Sequence, residues 1–167
     1  MDKEGKSRPL DRLDQRILDI LKHDGRISVI DLASRVGLSK SPCQVRLRRL
    51  IDDGYILGFR AVLDSKKLGL DHIAFTEVKL SDTREVALQA FNDAVRKVPE
   101  IEQCHLIAGS FDYLLKVRTA DISKYRLVLG ERISTLPYVS STSTFVVMES
   151  VKDDGDVQPG RRKKRNS

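Results

Sequence analysis

Between Asp11 and Gly54 three helical patterns follow one another, each closed by a glycine, and this spacing constrains the fold more than any other feature. From Asp11 to Lys22 the apolar residues Leu13, Ile17, Leu18, Ile20 and Leu21 recur at helical intervals, and Asp24-Gly25 ends the segment. Ser28 stands three residues before Asp31 as a capping box, and Ile30, Leu32, Ala33 and Val36 carry a second helix. Gly37 supplies its left-handed stop. The spacing predicts a third helix with Ser41 as N-cap, Pro42 at the first helical position and Gln44 reaching back to the cap. Its apolar side is Cys43, Leu47, Leu50 and Ile51, and Gly54 terminates it. Helices two and three, joined through Gly37-Leu38-Ser39, match a helix-turn-helix in which the small Ala33 lets the helices cross closely.

After Gly54 the period changes. Residues 55–63 are rich in strand formers and precede the turn Asp64-Ser65-Lys66-Lys67, which predicts a strand and then a linker. Residues 72–80 read as a strand, and Val86, Ala87, Ala90, Phe91, Ala94, Val95 and Val98 form a helical stripe that stops before Pro99. Residues 100–108 are again strand-like. Beyond them Tyr113, Leu115 and Val117 alternate with Leu114, Lys116 and Arg118, the pattern of a half-buried strand. Asp121 caps a helix expected to turn Ile122, Tyr125, Leu129, Ile133 and Leu136 inward, Pro137 stops it, and residues 139–149 form a last strand. The order β-α-β-β-α-β predicts a ferredoxin-like sandwich. The fold class is therefore α+β: a winged-type helix-turn-helix over residues 1–55, a hinge strand and linker over 56–71, the sandwich over 72–152, and a disordered basic tail over 153–167. The sheet face without helices needs a cover, which is expected to be a second copy.

Charge sharpens the functional expectation. The 167 residues carry a net +6, distributed as +3 over residues 1–64, −1 over 65–154 and +4 over 155–167. A basic N-terminal unit beside a neutral one points to an anionic partner, with double-stranded DNA first. Helix three holds Lys40, Arg46, Arg48 and Arg49 and no acid before Asp52. Wheel geometry sets Ser41, Val45 and Arg48 opposite the apolar stripe, with Lys40 and Gln44 flanking the helix start, so these five face base edges. Arg46 and Arg49 are expected to hold phosphates.

The segment Gly109-Ser110-Phe111-Asp112 joins two strands. Its glycine allows close backbone approach and its carboxylate could hold the ammonium group of an amino acid, while a plain hairpin turn explains the same residues. Cys104 and His105 point to opposite faces of a strand and have no further ligand at useful spacing, so packing is expected there and no metal. Phosphate loops, dinucleotide glycine fingerprints, Gly-x-Ser-x-Gly and His-Glu-x-x-His are all missing from the sequence, which lowers an enzymatic reading. The longest apolar runs, such as Phe145–Met148, fall far short of the roughly 18–20 residues that span a bilayer, and the first residues have no apolar h-region. A cytoplasmic protein without a cofactor is expected.

In sequence order, Leu10-Asp-Arg-Leu-Asp-Gln-Arg-Ile-Leu, Asp24-Gly-Arg-Ile-Ser, Leu32-Ala-Ser-Arg-Val-Gly-Leu-Ser, Pro42-Cys43 with Arg46-Leu-Arg-Arg-Leu, and Gly54-Tyr-Ile-Leu-Gly-Phe carry a resemblance that continues through Cys104–Val117 and Phe145–Glu149. Over residues 10–152 the chain resembles the Lrp/AsnC, or feast/famine, transcription regulators of prokaryotes. The resemblance implies an N-terminal DNA-binding unit, a hinge strand and a C-terminal ligand-sensing domain, assembled as dimers and commonly octamers. It implies an amino-acid effector bound between dimers near Gly109, Ser110, Phe111 and Asp112, with Thr142, Ser143 and Thr144 on the facing strand. Ser110 stands where the leucine-responsive branch often has an acid, and Lys40-Ser41 replaces other small or polar residues. The function implied is amino-acid-responsive control of amino-acid metabolism genes, for instance activation of a degradation operon such as that for proline. The alternative is an architectural DNA-compacting protein with little effector control.

Overall fold

A computed structural model describes residues 8–152; the basic tail expected over 153–167 lies outside the described residues. The chain separates into two compact units that divide between Val62 and Leu63.

The first unit holds α1 (Arg12–His23), α2 (Val29–Val36) and α3 (Lys40–Asp52). The starts of α1 and α2 have local causes. Asp11 caps α1 by accepting from the backbone N–H groups of Leu13 and Asp14, both at 2.9 Å. Ser28 caps α2, accepting from Asp31 N–H at 3.1 Å while its hydroxyl donates to the Asp31 carboxylate at 2.7 Å. Gly37 ends α2 at φ 79°, a conformation that glycine adopts without the cost a Cβ would impose. Ile17, Leu32, Ala33, Val36, Cys43 and Leu50 form the core. Ile30 and Ile51, expected inward, are 62% and 43% exposed, because each lies off the narrow stripe that its short helix buries.

Two expectations for this unit are corrected. The N-cap of α3 is Ser39, not Ser41, so Pro42 occupies the third helical position. Pro42 is tolerated there because first-turn N–H groups have no intrahelical partner to lose. Residues 55–63 form no strand among the described residues, and Leu57 is 97% exposed. Strand-forming composition needs a neighbouring strand to express itself, and none lies beside this segment among the described residues.

The second unit follows the expected order. It comprises β1 (His72–Leu80), α4 (Glu85–Val95), β2 (Ile101–Leu106), β3 (Tyr113–Thr119), α5 (Ile122–Val128) and β4 (Val139–Val146). The sheet runs β2-β3-β1-β4 with every neighbouring pair antiparallel, which puts β1 and β3 in the middle. Ala74, Val78, Leu115, Val117 and Tyr113 meet Phe91 and Val95 of α4 and Tyr125 and Val128 of α5. The helix after Asp121 departs from the predicted stripe. A π-helical turn over Leu129–Ile133, closed by Ser134 N–H donating to Leu129 O at 2.8 Å, inserts one residue into the helical count. Tyr125, Ile133 and Leu136 are buried as expected, Val128 takes the place of the half-buried Leu129, and Ile122 at the helix start is 48% exposed.

A chain of hydroxyls runs through the sheet unit. Thr76 is fully buried and its hydroxyl bonds the Tyr125 hydroxyl at 2.9 Å, which in turn bonds Thr144 Oγ1 at 2.6 Å. This chain fastens α5 to β1 and β4. Replacing Tyr125 by Phe removes the partner of a buried hydroxyl, so chemical denaturation of the Tyr125→Phe chain should show a loss of about 1–3 kcal/mol. A change within about 0.5 kcal/mol would mean that the hydroxyl chain does not hold the helix.

Candidate DNA interface and effector site

In the first unit the geometry starts at the crossing of α2 and α3. Ala33 is 3% exposed, and Leu38 N–H donates to Ala33 O at 2.9 Å, so the turn is drawn tightly against α2. Cys43 and Leu50 then fix the buried side of α3. Lys40, Ser41, Gln44, Val45 and Arg48 are all exposed, Val45 at 69% and the Arg48 side chain at 84%. The five residues expected to read bases thus share one open face. Lys40 at the start of a helix opposes the helix dipole and is unfavourable for folding alone, while the same positive end attracts a phosphate.

Arg46 and Arg49 are placed differently. Arg46 Nη1 donates to Asp11 Oδ2 at 2.6 Å and to Asp14 Oδ1 at 2.8 Å, and Arg49 Nη2 donates to Asp14 Oδ2. Both arginine side chains are only 24% exposed, and that of Asp14 is 0%. Both arginines, expected to hold phosphates, are engaged here across the α1–α3 contact. The carboxylates also close the α1 start: Asp11 N–H donates to Asp14 Oδ2 at 3.1 Å. Sequence spacing on α3 alone could not reveal partners on another helix. The available signal was Asp14, which lies one turn before the core residue Ile17 and therefore on the buried side of α1.

Both acids are held below their ordinary range. Asp11 falls to about 2, chiefly because it accepts from the Asp14 backbone N–H and then because Arg46 adds hydrogen bonding and charge. For Asp14, burial is the largest influence and favours the neutral form. Hydrogen bonds from Asp11 N–H, Arg46 and Arg49 together outweigh it, and the pKa is lowered.

In the second unit, Gly109 and Ser110 are exposed, and Phe111 and Asp112 are half-buried in the loop from β2 to β3. Asp112 N–H donates to Val78 O at 3.0 Å, and Asp112 Oδ2 accepts from Leu80 N–H at 2.7 Å. Leu80 lies beyond Val78↔Tyr113, the last pair between β1 and β3, so the carboxylate takes a donor left over at the end of that ladder. Gly109 does not occupy the left-handed region, and a Cβ built on it would meet Ile107 Cγ2 at 3.5 Å, an ordinary contact. Nothing in the fold of the unit requires glycine there.

Across β1 from this loop lie Thr142, Ser143 and Thr144, paired with Val78, Glu77 and Thr76. The loop and the strand segment therefore flank the same end of β1. Alternation divides the three residues: Thr144 shares the helix-covered face with Thr76 and Tyr125, Thr142 lies on that side too, and Ser143 faces the other way. On the other side of the sheet Phe75 pairs with Phe145, which is 55% exposed.

Comparison with known proteins decides the family. The family described as Lrp/AsnC ligand binding domain matches residues 73–157, and that described as winged helix-turn-helix DNA-binding matches residues 10–56. The chain is 69% identical over 150 residues to the proline dehydrogenase transcriptional activator of Rhizobium radiobacter, covering 90% of this chain and 96% of that one. The chain belongs to the Lrp/AsnC family. Another Lrp/AsnC relative, the leucine-responsive regulatory protein of Escherichia coli strain K12, is 47% identical over 152 residues, covering 89% and 93%. A crystal structure of a transcriptional regulator complexed with L-Met, from Neisseria meningitidis, superposes with a TM-score of 0.82 at 30% identity, covering 87% and 94%. The Lrp/AsnC fold joins a helix-turn-helix to a ligand-binding sheet domain, as found here, and its members are effector-responsive DNA-binding regulators rather than enzymes. Among the described residues no helix is long and apolar enough to cross a membrane.

Two outcomes follow from this geometry. Because the Asp11 and Asp14 carboxyls lie below their ordinary 3.8, their stabilising contribution is present above that range and is lost as pH falls below it, for Asp11 through about 2. Helical circular dichroism should register that loss, and an N-terminal unit equally stable from about pH 5 to 2 would contradict it. Asp112→Ala strands the Leu80 N–H and should cost about 1–3 kcal/mol, whereas Asp112→Asn keeps an acceptor and should cost less. Equal losses in urea unfolding would show that the hydrogen bond is not what Asp112 contributes.

Proposed function

We propose that this protein is a cytoplasmic transcriptional activator of a proline-degradation gene that binds DNA as a homo-oligomer and responds to proline. The observation that carries this reading is the extent of likeness to two proteins named proline dehydrogenase transcriptional activator, at 69% identity in Rhizobium radiobacter and 51% in Rhodobacter capsulatus. Either leaves less than a tenth of its own length unmatched.

In this reading the open face of α3 enters the major groove, with Ser41, Gln44, Val45 and Arg48 toward base edges and Lys40 toward the backbone at the helix start. Arg46 and Arg49 support the helix from behind. A second copy covers the sheet face that carries Phe75 and Phe145 and sets two α3 helices about one DNA turn apart; pairs of dimers combine further, up to an octamer. The effector lies at the loop Gly109, Ser110, Phe111 and Asp112 near Ser143, with Thr142 and Thr144 shaping the strand from its other side. With Asp112 Oδ2 committed to Leu80 N–H, an ammonium group falls to Oδ1.

A thermal-shift screen of the purified protein against the twenty amino acids tests this. A ligand that binds only the folded state stabilises it by RT ln(1 + L/Kd), about 2.7 kcal/mol at a hundredfold excess over Kd. Proline should raise the melting temperature, and Gly109→Ala, whose added Cβ makes only an ordinary contact in the unliganded fold, should diminish that shift while leaving the unliganded melting temperature unchanged. A shift with another amino acid and none with proline would overturn the effector assignment. No shift with any of them would favour an architectural protein.

A further inference from the structure

The helix α3 carries four basic side chains, and they divide into two kinds. Lys40 and Arg48 stand in the open, the latter facing only Asp52 at 4.0 Å across an exposed surface. Arg46 and Arg49 are drawn back onto α1 by Asp11 and Asp14, and the four charges cancel. Burying a carboxylate such as Asp14 is costly, and replacing buried ion pairs by apolar residues of similar size is often neutral or stabilising. Stability alone therefore does not call for the arrangement.

DNA binding supplies a reason. A guanidinium on the flank of a groove-bound helix contacts phosphates, and each such contact strengthens binding to every sequence alike. Two more mobile cations would raise affinity for unrelated DNA while adding nothing to base discrimination. We propose that Asp14 is a specificity-determining positioning residue: by holding Arg46 and Arg49 against α1 it keeps both out of the phosphate contacts and fixes the rotation of α3. Discrimination between sequences then falls to Ser41, Gln44, Val45 and Arg48. This rests on the reading that α3 enters the major groove.

The test uses the full chain, a duplex enriched by the unmodified protein from a random pool, and a scrambled duplex of equal length. Affinities are measured by fluorescence anisotropy over a range of salt, and folding by circular dichroism. Asp14→Asn, which removes the charge and keeps the shape, should bind the scrambled duplex several-fold more tightly and lower the selected-to-scrambled ratio about tenfold. The slope of log affinity against log salt should steepen by about 0.9 for each phosphate newly contacted. Adding Arg49→Gln to that variant should recover part of the ratio. Arg49→Gln alone should leave the salt slope where it was, and this variant decides the matter should Asp14→Asn fail to fold. A slope flatter by about 0.9 in Arg49→Gln would make Arg49 a phosphate ligand and overturn the proposal. So would a folded Asp14→Asn chain with an unchanged ratio. Failure of the unmodified protein to enrich any duplex would instead overturn sequence-specific binding itself.

Discussion

One carboxylate without access to water organises the helix-turn-helix unit. Asp14 receives the Asp11 backbone N–H at the start of α1 and two guanidiniums from α3, so the N-terminus of one helix and the flank of another share a single acceptor. Desolvation opposes the charge at this position, and removing one member of such a buried cluster leaves the others uncompensated, typically at about 3–5 kcal/mol. The apolar core beside it is small, consisting of six buried residues. With the half-buried residues packed against it, that core resists separation of the helices, but apolar attraction is non-directional and does not by itself favour one rotation angle. The directional bonds at Asp14 supply that angle, and the exposed face of α3 inherits it.

The sheet unit has its own organising element in β1. Its ladder partners are β3 on one side and β4 on the other, so the loop before β3 and the segment 142–144 reach the same strand end from opposite directions. Asp112 ties the loop to Val78 and Leu80, and Tyr125 ties Thr76 and Thr144 beneath α5. A molecule that pulls on the Asp112 carboxylate pulls on the end of the central strand. That is a physical route from a bound effector to the β4 edge and to whatever second chain the open sheet face meets.

Much of this was legible in the residues. Ser28, Asp31 and Gly37 determine α2 through local bonds, and the apolar spacings around Phe91 and across Tyr113–Val117 give the sheet unit its element order, because each depends only on neighbours in sequence. What could not be read depends on distance. The Asp14 bonds to Arg46 and Arg49 span 32 and 35 positions, and an α3 considered alone presents four interchangeable cations. The π-helical turn after Val128 has no compositional signature, and with it Val128 rather than Leu129 lies on the buried side. Residues 55–63 have strand composition but no partner strand among the described residues, and composition alone does not reveal that. At the candidate effector site the loop was visible as glycine beside aspartate, while the bond from Leu80 N–H to Asp112 depends on where the β1–β3 ladder ends, which only the paired strands display.

The central claim is that an amino acid bound to the sheet unit changes how the helical unit holds DNA. It is tested most directly by titrating a selected duplex with the full-length protein, with and without saturating proline, and then measuring proline binding with and without that duplex. Linkage requires the two effects to be equal, and coupling of this kind typically amounts to about 5–150-fold. A change of that size, matched in both directions, is the expected result. DNA affinity that stays constant in the presence of every amino acid would contradict the account.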